Sequence, residues 1–327
     1  MPMKPPEPVS GNTYGIDIGG TKMELVACDA ALNVLLRRRV PTPGSDYGTF
    51  VAALADLVRG ADQELGMRAP VGLGVPGIVD AASGKHLSAN VPCLTGRHLL
   101  PVLRTMLERP IAIGNDCQCF ALSEAHGGAA QGYPSMFGLI IGTGAGAGYV
   151  LDGQLVRGRN GIAGEWGHWP IGPDLLRRYG LPVWHCACGS QACLECYVSG
   201  TGMRRLHRHA IGGATDGNGA NGADAEALLA LRCAGDPVAQ RVVALHLDLL
   251  GAAIARIVLA YDPHAIVLGG GLSRMPHLYT ELAQAASAHL LPGLAVPPIL
   301  PPFFGDAGGA RGAALLARQP NLIAKES

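Results

Sequence analysis

Apolar positions recur along this chain with two different periods. Near the start, YGIDI (14–18) and MELVAC (23–28) are short apolar runs joined by the turn GGTK, which predicts two buried strands. VLLRRRV (34–40) is a candidate third strand, followed by the loop PTPGSD. From Phe50 the apolar positions Leu54, Leu57, Val58, Ala61 and Leu65 follow helical spacing. VGLGV (71–75) is a strand ended by the breaker pair Pro76-Gly77. IAIG (111–114) is another, and CFALSEA after it is helical. FGLII (137–141), GAGYVL (146–151) and QLVR (154–157) are strands, the last two joined by an Asp152-Gly153 hairpin turn. A long helix is expected from about Pro237 to Tyr261, feeding the strand and glycines of AIVLGGG (265–271). Strands alternating with helices predict an α/β protein.

Composition narrows the function. The 327 residues are room for two domains of ordinary size. Lys and Arg number 25, as do Asp and Glu, so no net field draws the chain to nucleic acid or to an anionic membrane. No basic run with interleaved aromatics suggests a nucleic-acid surface. MPMKPPEPVSGNT at the start has no apolar core of a signal peptide, and no uninterrupted apolar run approaches a membrane span. The expectation is a cytoplasmic protein without nucleic-acid or membrane partners. GGATDGNGANGAD (212–224) reads as a mobile surface loop. In a reducing compartment the nine cysteines are better metal ligands than disulfides.

One internal echo stands out. YGIDIGGTK and GLIIGTGAG are each a strand, a Gly/Thr turn and a second strand. Glycines let backbone N–H groups approach phosphate oxygens, and the Thr21 and Thr143 hydroxyls add donors. Two such turns, with Asp17 just before the first, suggest duplicated halves facing one cleft. GTGAGA (142–147) fits the loose dinucleotide fingerprint, but GYVLDGQLV follows where that fingerprint requires a helix. No P-loop is present, because Gly84-Lys85 is followed by His86 at the wrong spacing.

Asn115-Asp116 lies between a strand end and a helix start. Asp116 there is either a base that takes a proton from an attacking hydroxyl or part of a helix cap. GIAGEWGHWP (161–170) sets Glu165 and His168 in a glycine-rich loop beside two tryptophans. Downstream, HCACGSQACLEC (185–196) holds Cys186, Cys188 and Cys193 in C-x-C-x4-C spacing. With His168 these make a Cys3His set suited to a closed structural zinc site. His185 or Cys196 could replace one member. The spacing differs from a C-x-x-C redox pair. Cys28, Cys93, Cys117, Cys119 and Cys233 read as small buried apolar residues.

DIGGTK, GVPG, NVP, ND-x-x-x-FALSEA, GTGAGAG, GEWGH, C-x-C-G-x-x-x-C-x-E, DP-x-x-x-VLGGG and GDAGGARGAA occur in this order. Together they resemble the ROK family of sugar kinases, repressors and open reading frames, over most of residues 14–317. VPTP, SANVP and NDCQCFALSEA are most similar to the family's bacterial N-acetyl-D-glucosamine kinases. The repressors carry a helix-turn-helix domain ahead of this region, and the dozen residues before the first strand are too few for one.

The resemblance implies a two-domain actin-like, hexokinase-like ATPase fold of duplicated ribonuclease-H-like α/β domains with an interdomain cleft. Residues 1–13 would be a flexible tail. Residues 14–115 with 311–327 would form the smaller N-terminal domain, and 116–310 the larger C-terminal domain with the zinc-binding loop. The activity implied is ATP-dependent phosphorylation of the 6-hydroxyl of N-acetyl-D-glucosamine. Glucose, N-acetylmannosamine, fructose or allose are alternative substrates, and a non-catalytic sugar sensor is an alternative role. ATP with catalytic Mg²⁺ would use Asp17, Gly19, Gly20, Thr21 and Lys22, then Gly142, Thr143 and Gly144, then Gly269, Gly270 and Gly271. Asp116 would be the general base. Gly77, Asn90, Asn115, Asp116, Glu165, His168 and Glu195 would line the sugar. His168, Cys186, Cys188 and Cys193 would hold structural Zn²⁺, making His185 and Cys196 bystanders. A homodimer is the expected assembly. Ala147 stands where many relatives have glycine, Cys196 stands where related kinases often have a polar residue, and the 212–224 loop looks like an insertion.

Overall fold

A computed structural model describes residues 11–80, 83–88, 90–213, 222–305 and 308–319. The first ten residues of the expected tail and residues 214–221 of the Gly/Asn-rich segment lie outside the described residues. The first elements are β1 (Thr13–Ile18), β2 (Lys22–Cys28), β3 (Val34–Pro41), α1 (Tyr47–Leu65), β4 (Val71–Gly74), β5 (Ile78–Val79), β6 (His86–Leu87), α2 (Leu99–Leu107), β7 (Ile111–Gly114) and α3 (Asp116–Ala125). Then come β8 (Ser135–Ile141), β9 (Ala145–Leu151), β10 (Gln154–Val156), α4 (Pro173–Tyr179), α5 (Glu195–Val198), α6 (Gly200–Ala210), α7 (Ala225–Cys233) and α8 (Pro237–Tyr261). β11 (Ala265–Gly269), α9 (Pro276–Ser287), β12 (Ile299–Leu300) and α10 (Gly308–Leu316) follow among the described residues.

Local chemistry sets the element ends. α1 starts where the Asp46 side chain accepts from the Thr49 N–H at 2.7 Å and stops at Gly66 in the left-handed region. Its periodic residues Phe50, Leu54, Leu57, Val58 and Ala61 are buried. The hairpin after β9 turns at Asp152 and Gly153, both with positive φ, as a two-residue hairpin requires. α8 begins at the Asp236 cap with Pro237 in its first turn. By length and composition α8 could cross a membrane, but 72% of its apolar window is buried within the protein, as in a core helix.

Two five-stranded sheets share one plan. The first runs β3-β2-β1-β4-β7, an antiparallel meander extended by two parallel strands. The second runs β10-β9-β8-β11-β12, again with β8, β11 and β12 parallel. The strand–Gly/Thr turn–strand echo is therefore β1–β2 in one sheet and β8–β9 in the other, the same position in each.

The chain divides into two compact units. The first holds the described residues up to Gly128, Gly148–Ala163 and those from Phe304 onward; the second holds Ala129–Ala147 and Gly164–Phe303. This differs from a boundary at 115/116, because α3 lies with the first unit. The cause is close packing of small residues. A methyl group at Gly312 of α10 would sit 1.7 Å from the Cys119 carbonyl oxygen of α3, and one at Gly72 of β4 would sit 1.7 Å from that of Ala313. α10 thus presses against both the first sheet and α3. The core of this unit gathers Tyr14, Ile16, Leu25, Phe50, Leu54 and Leu73.

Candidate functional site

In the first unit, the Gly19–Lys22 turn links β1 to β2. The Gly19 N–H donates to the Lys22 carbonyl at 2.9 Å, and the Thr42 hydroxyl donates to the Gly19 carbonyl at 2.7 Å. Gly20, Thr21 and Lys22 are exposed. A methyl at Gly20 would lie 2.8 Å from the Asn90 carbonyl oxygen, so the structure sets Asn90 against this turn. Asp17, near the end of β1, faces Glu24 in the strand register. Burial, then the charges of Asp116 and Glu24, push its carboxyl up to about 6.

Of the pair Asn115-Asp116, it is Asn115 that caps the helix. Asn115 is the cap of α3: its side chain accepts from the Gln118 N–H at 2.8 Å, and the Gln118 side chain accepts from the Asn115 N–H at 3.2 Å. Asp116 follows in the first turn with an exposed carboxylate that accepts from the Cys117 N–H at 3.0 Å. Gln118, almost fully buried, also donates to the Gly161 carbonyl at 2.9 Å. It was not singled out from sequence, although N-x-x-Q before an apolar stretch is a capping-box signal.

In the second unit, a strand follows Gly142–Gly144, which excludes the dinucleotide fingerprint. The Gly142 N–H donates to the Gly144 carbonyl at 2.9 Å. The Gly142 carbonyl accepts from the Gly200 N–H at 2.7 Å. Ser199-Gly200 is a second feature that sequence reasoning missed. Ser199 caps α6, and its only signal was a serine before glycines. Gly269 ends β11 opposite Ile140 of β8, which places Gly270 and Gly271 beside the Gly142 turn. Gly270 has φ +78, and a methyl there would meet the Ile141 carbonyl at 2.6 Å. Beside them, Gly271 faces open space and Thr143 is exposed.

The metal-ligand candidates come together on two loops. Glu165 precedes a single 3-10 turn, Trp166–His168, anchored by the fully buried Trp166. That turn sets the Glu165 carboxylate 3.8 Å from His168 Nε2. The opposite edge of the ring faces the cysteines, with His168 Nδ1 at 3.8 Å from Cys186 Sγ. The cysteine loop folds back on itself: the Cys186 N–H donates to the Ser190 carbonyl and the Gly189 N–H to the Cys186 carbonyl. It is tied to the His168 loop because Leu194 N–H donates to Trp169 and Ile171 N–H to Ala192, both at 2.8 Å.

One ligand atom each from His168, Cys186, Cys188 and Cys193 lies within 4.8 Å of all the others. Cys188 Sγ and Cys193 Sγ are 3.7 Å apart. A tetrahedral zinc ion with Zn–S bonds of about 2.3 Å has S–S edges of about 3.8 Å, so the donor set fits. Burial pushes the Cys186 thiol up and takes Cys193 to about 11. For Cys188 burial acts upward too, but hydrogen bonding from Ser190 and from the Cys186 and Cys193 thiols outweighs it and brings the group down to about 7. His185 is outside the cluster, its ring 3.5 Å from the Gln191 amide nitrogen, and Cys196 faces the His185 carbonyl at 3.6 Å. Cys28, Cys117 and Cys119 are buried as expected, but Cys93 is half-buried and Cys233, at the end of α7, is exposed.

Glu195 joins the cluster to the glycine turn. Its carboxylate accepts from the Ala145 N–H at 2.9 Å through one oxygen, and the other faces Cys186 Sγ at 3.8 Å.

The sequence profile of the ROK family matches residues 13–320. The N-acetylgalactosamine kinase of Shewanella sp. (strain ANA-3) is 47% identical over 93% of this chain and 96% of its own length. The N-acetyl-D-glucosamine kinase of Pectobacterium atrosepticum is 42% identical over 94% of this chain and 99% of its own. Among solved structures, the ROK hexokinase of Thermus thermophilus superposes with a TM-score of 0.81 at 34% identity, covering 93% of this chain and 97% of its own. A ROK family glucokinase from Streptomyces griseus, in complex with glucose and AMPPNP, gives 0.72 at 29% identity, covering 94% and 100%.

Proposed function

The chain belongs to the ROK family, and from that premise we propose that it transfers the γ-phosphoryl group of ATP to the 6-hydroxyl of a 2-acetamido hexose, N-acetyl-D-glucosamine first. N-acetyl-D-galactosamine joins the candidates because a relative at 47% identity is named for it. The observation that carries this reading is the place of Glu195, whose carboxylate accepts from the Ala145 N–H at 2.9 Å beside the glycine turn and lies 3.8 Å from Cys186 of the Cys3His group. A metal clip that fixes a carboxylate beside a glycine turn suits a site that positions a polyhydroxyl substrate near phosphate.

Each residue has a part in this reading. ATP with Mg²⁺ supplies the phosphoryl group and the charge neutralisation that such transfers need. Asp17, the Gly19–Lys22 turn, the Gly142–Gly144 turn and Gly269–Gly271 would hold it. The open space over Gly271 and the exposed Thr21 and Thr143 leave room for phosphates. Asp116 accepts the proton of the 6-hydroxyl as that oxygen attacks; its place beside the Asn115 cap orients the carboxylate. Gly77, Asn90, Asn115, Glu165, His168 and Glu195 hold the sugar. Zinc on His168, Cys186, Cys188 and Cys193 fixes two loops and leaves His168 Nε2 and both glutamates for hydroxyl groups. A cytoplasmic homodimer is the setting this reading expects.

Replacing Asp116 by Asn tests it. Turnover in a coupled ADP assay is expected to fall by about a hundredfold or more, with sugar binding retained in calorimetry. Turnover near wild type overturns the assignment. A panel of N-acetylglucosamine, N-acetylgalactosamine, N-acetylmannosamine, glucose, fructose and allose identifies the substrate. A sugar sensor would bind one of these and release no ADP.

A further inference from the structure

In the second unit the Gly142 turn is held by the junction of α5 and α6. The Gly200 N–H donates to the Gly142 carbonyl at 2.7 Å. A methyl at Gly200 would lie 3.0 Å from that same carbonyl oxygen, so the two backbones are already in close contact. Where Gly200 sits therefore decides where Gly142 sits. α5 cannot fix that position alone. It is a helix of four residues, Glu195–Val198, far shorter than one that holds its own shape in water. Its last carbonyls have no further turn to pair with.

His246 supplies one of the missing partners. It lies on the 25-residue helix α8, where its buried neighbours along the chain include Val242, Val243, Leu247, Leu249 and Leu250. The side chain is fully buried, and its Nε2 is 2.9 Å from the carbonyl oxygen of Val198, the last residue of α5. A carbonyl only accepts, so Nε2 carries the proton and donates. Burial pushes the imidazole down to about 4, so the ring is neutral near pH 7 with its single N–H on Nε2. Nδ1 is then a buried acceptor without a partner. An aliphatic side chain at this place in the helix would carry no such cost, and the bond to Val198 is what offsets it. Val198 is followed by Ser199, which caps α6 by accepting from the Gly202 N–H at 3.0 Å, and then by Gly200 itself. α8 packs against both α5 and α6. The long helix thus holds the short one a single residue before the cap and two before the residue that bonds to the turn.

We propose that His246 is a positioning residue for the nucleotide: through the Val198 carbonyl it fixes the α5–α6 junction, and through Gly200 it sets the Gly142–Gly144 turn. This rests on the kinase reading above, in which that turn holds ATP. His277 of α9 provides the internal contrast. It is another buried histidine, near enough to His246 for their charges to oppose one another, yet neither of its ring nitrogens has a hydrogen-bond partner. It has no bond through which to position anything.

The test measures ATP KM at saturating sugar, ATP affinity by calorimetry and melting temperature for wild type, His246→Leu, His246→Gln and His277→Leu. Leucine removes the N–H, whereas glutamine restores an N–H donor at a reach similar to that of Nε2. His246→Leu is expected to raise ATP KM and Kd about tenfold or more, because the Val198 carbonyl is left buried and unpaired. His246→Gln is expected to recover most of that loss, and His277→Leu to leave both constants unchanged whatever it does to the melting temperature. If His246→Leu fails to fold by circular dichroism, His246→Met takes its place, since methionine also lacks the donor and adapts to its surroundings. A lower melting temperature with unchanged ATP KM would make His246 a core residue only and overturn the proposal. A glutamine variant no better than the leucine one, or an equal rise in ATP KM for His277→Leu, would overturn it too, because the N–H to Val198 would not be what matters. If wild type binds ATP but releases no ADP with any sugar, the kinase reading fails and the calorimetric affinities still decide this one. If wild type binds no nucleotide, both fail.

Discussion

Glu195 accepts a hydrogen bond from the backbone N–H of Ala145 at 2.9 Å. The two residues belong to different motifs, one closing the cysteine loop and the other following the GTG turn. Their bond ties the strand after the glycine turn to the residue that follows Cys193 by two positions. Gly144 is part of the same contact, because a methyl there would come within 2.6 Å of Glu195 Oε2.

Gly144→Ala is therefore expected to act through Glu195. The added methyl must displace the carboxylate, which as the end of a flexible side chain can swing away at little cost to the fold but gives up its place beside the Ala145 N–H. Sugar KM is expected to rise at least tenfold while the protein still folds. Steady-state kinetics with sugar varied at saturating ATP, together with thermal melting, read this out. A sugar KM equal to wild type would show that Glu195 can move without consequence.

The cysteine cluster predicts one bound zinc per chain. Cys188→Ser is expected to lose it by metal analysis, lower the melting temperature and weaken sugar binding about tenfold or more. Cys196→Ser and His185→Ala are expected to keep it, since neither side chain joins the four-ligand group. Chelation of wild type should reproduce the Cys188→Ser result, and zinc should restore it. A metal-free protein with normal sugar affinity would leave the cluster with no part in the site.

Much of this was legible in the sequence, for particular reasons. The β1–β2 and β8–β9 turns were readable because glycines interrupt runs too short for helices. The Cys3His grouping was readable because thiol and imidazole donors are rare and their spacing is constrained. The grouping of α3 with α10 was not, because it depends on small residues such as Gly312 meeting Cys119, far away in the chain. Ser199-Gly200 supports the Gly142 turn through a backbone bond, which leaves almost no mark on side-chain identity. Asp116 was ambiguous for a physical reason: caps and catalytic carboxylates both favour the junction of strand and helix, and only the geometry gives the cap to Asn115.

Asp17 gives the protein a pH signature. Burial, followed by the charges of Asp116 and Glu24, raises its pKa from 3.8 to about 6. Between those values the folded chain holds a proton that the unfolded chain has released. Stability from this group therefore falls as pH rises from about 4 to about 6, and the deficit persists above that. Two units correspond to at most about 3 kcal/mol. Asp17→Asn removes the charge, so without nucleotide or Mg²⁺ it is expected to melt several degrees above wild type at about pH 7.5 and level with it at about pH 4. Activity should move the other way. If the ionised Asp17 serves the metal-nucleotide, wild-type turnover climbs as pH rises through about 6, and the Asn variant is inactive throughout. Melting curves that coincide at pH 7.5 would mean that Asp17 titrates as an ordinary carboxylate and that its neighbours do not oppose its charge.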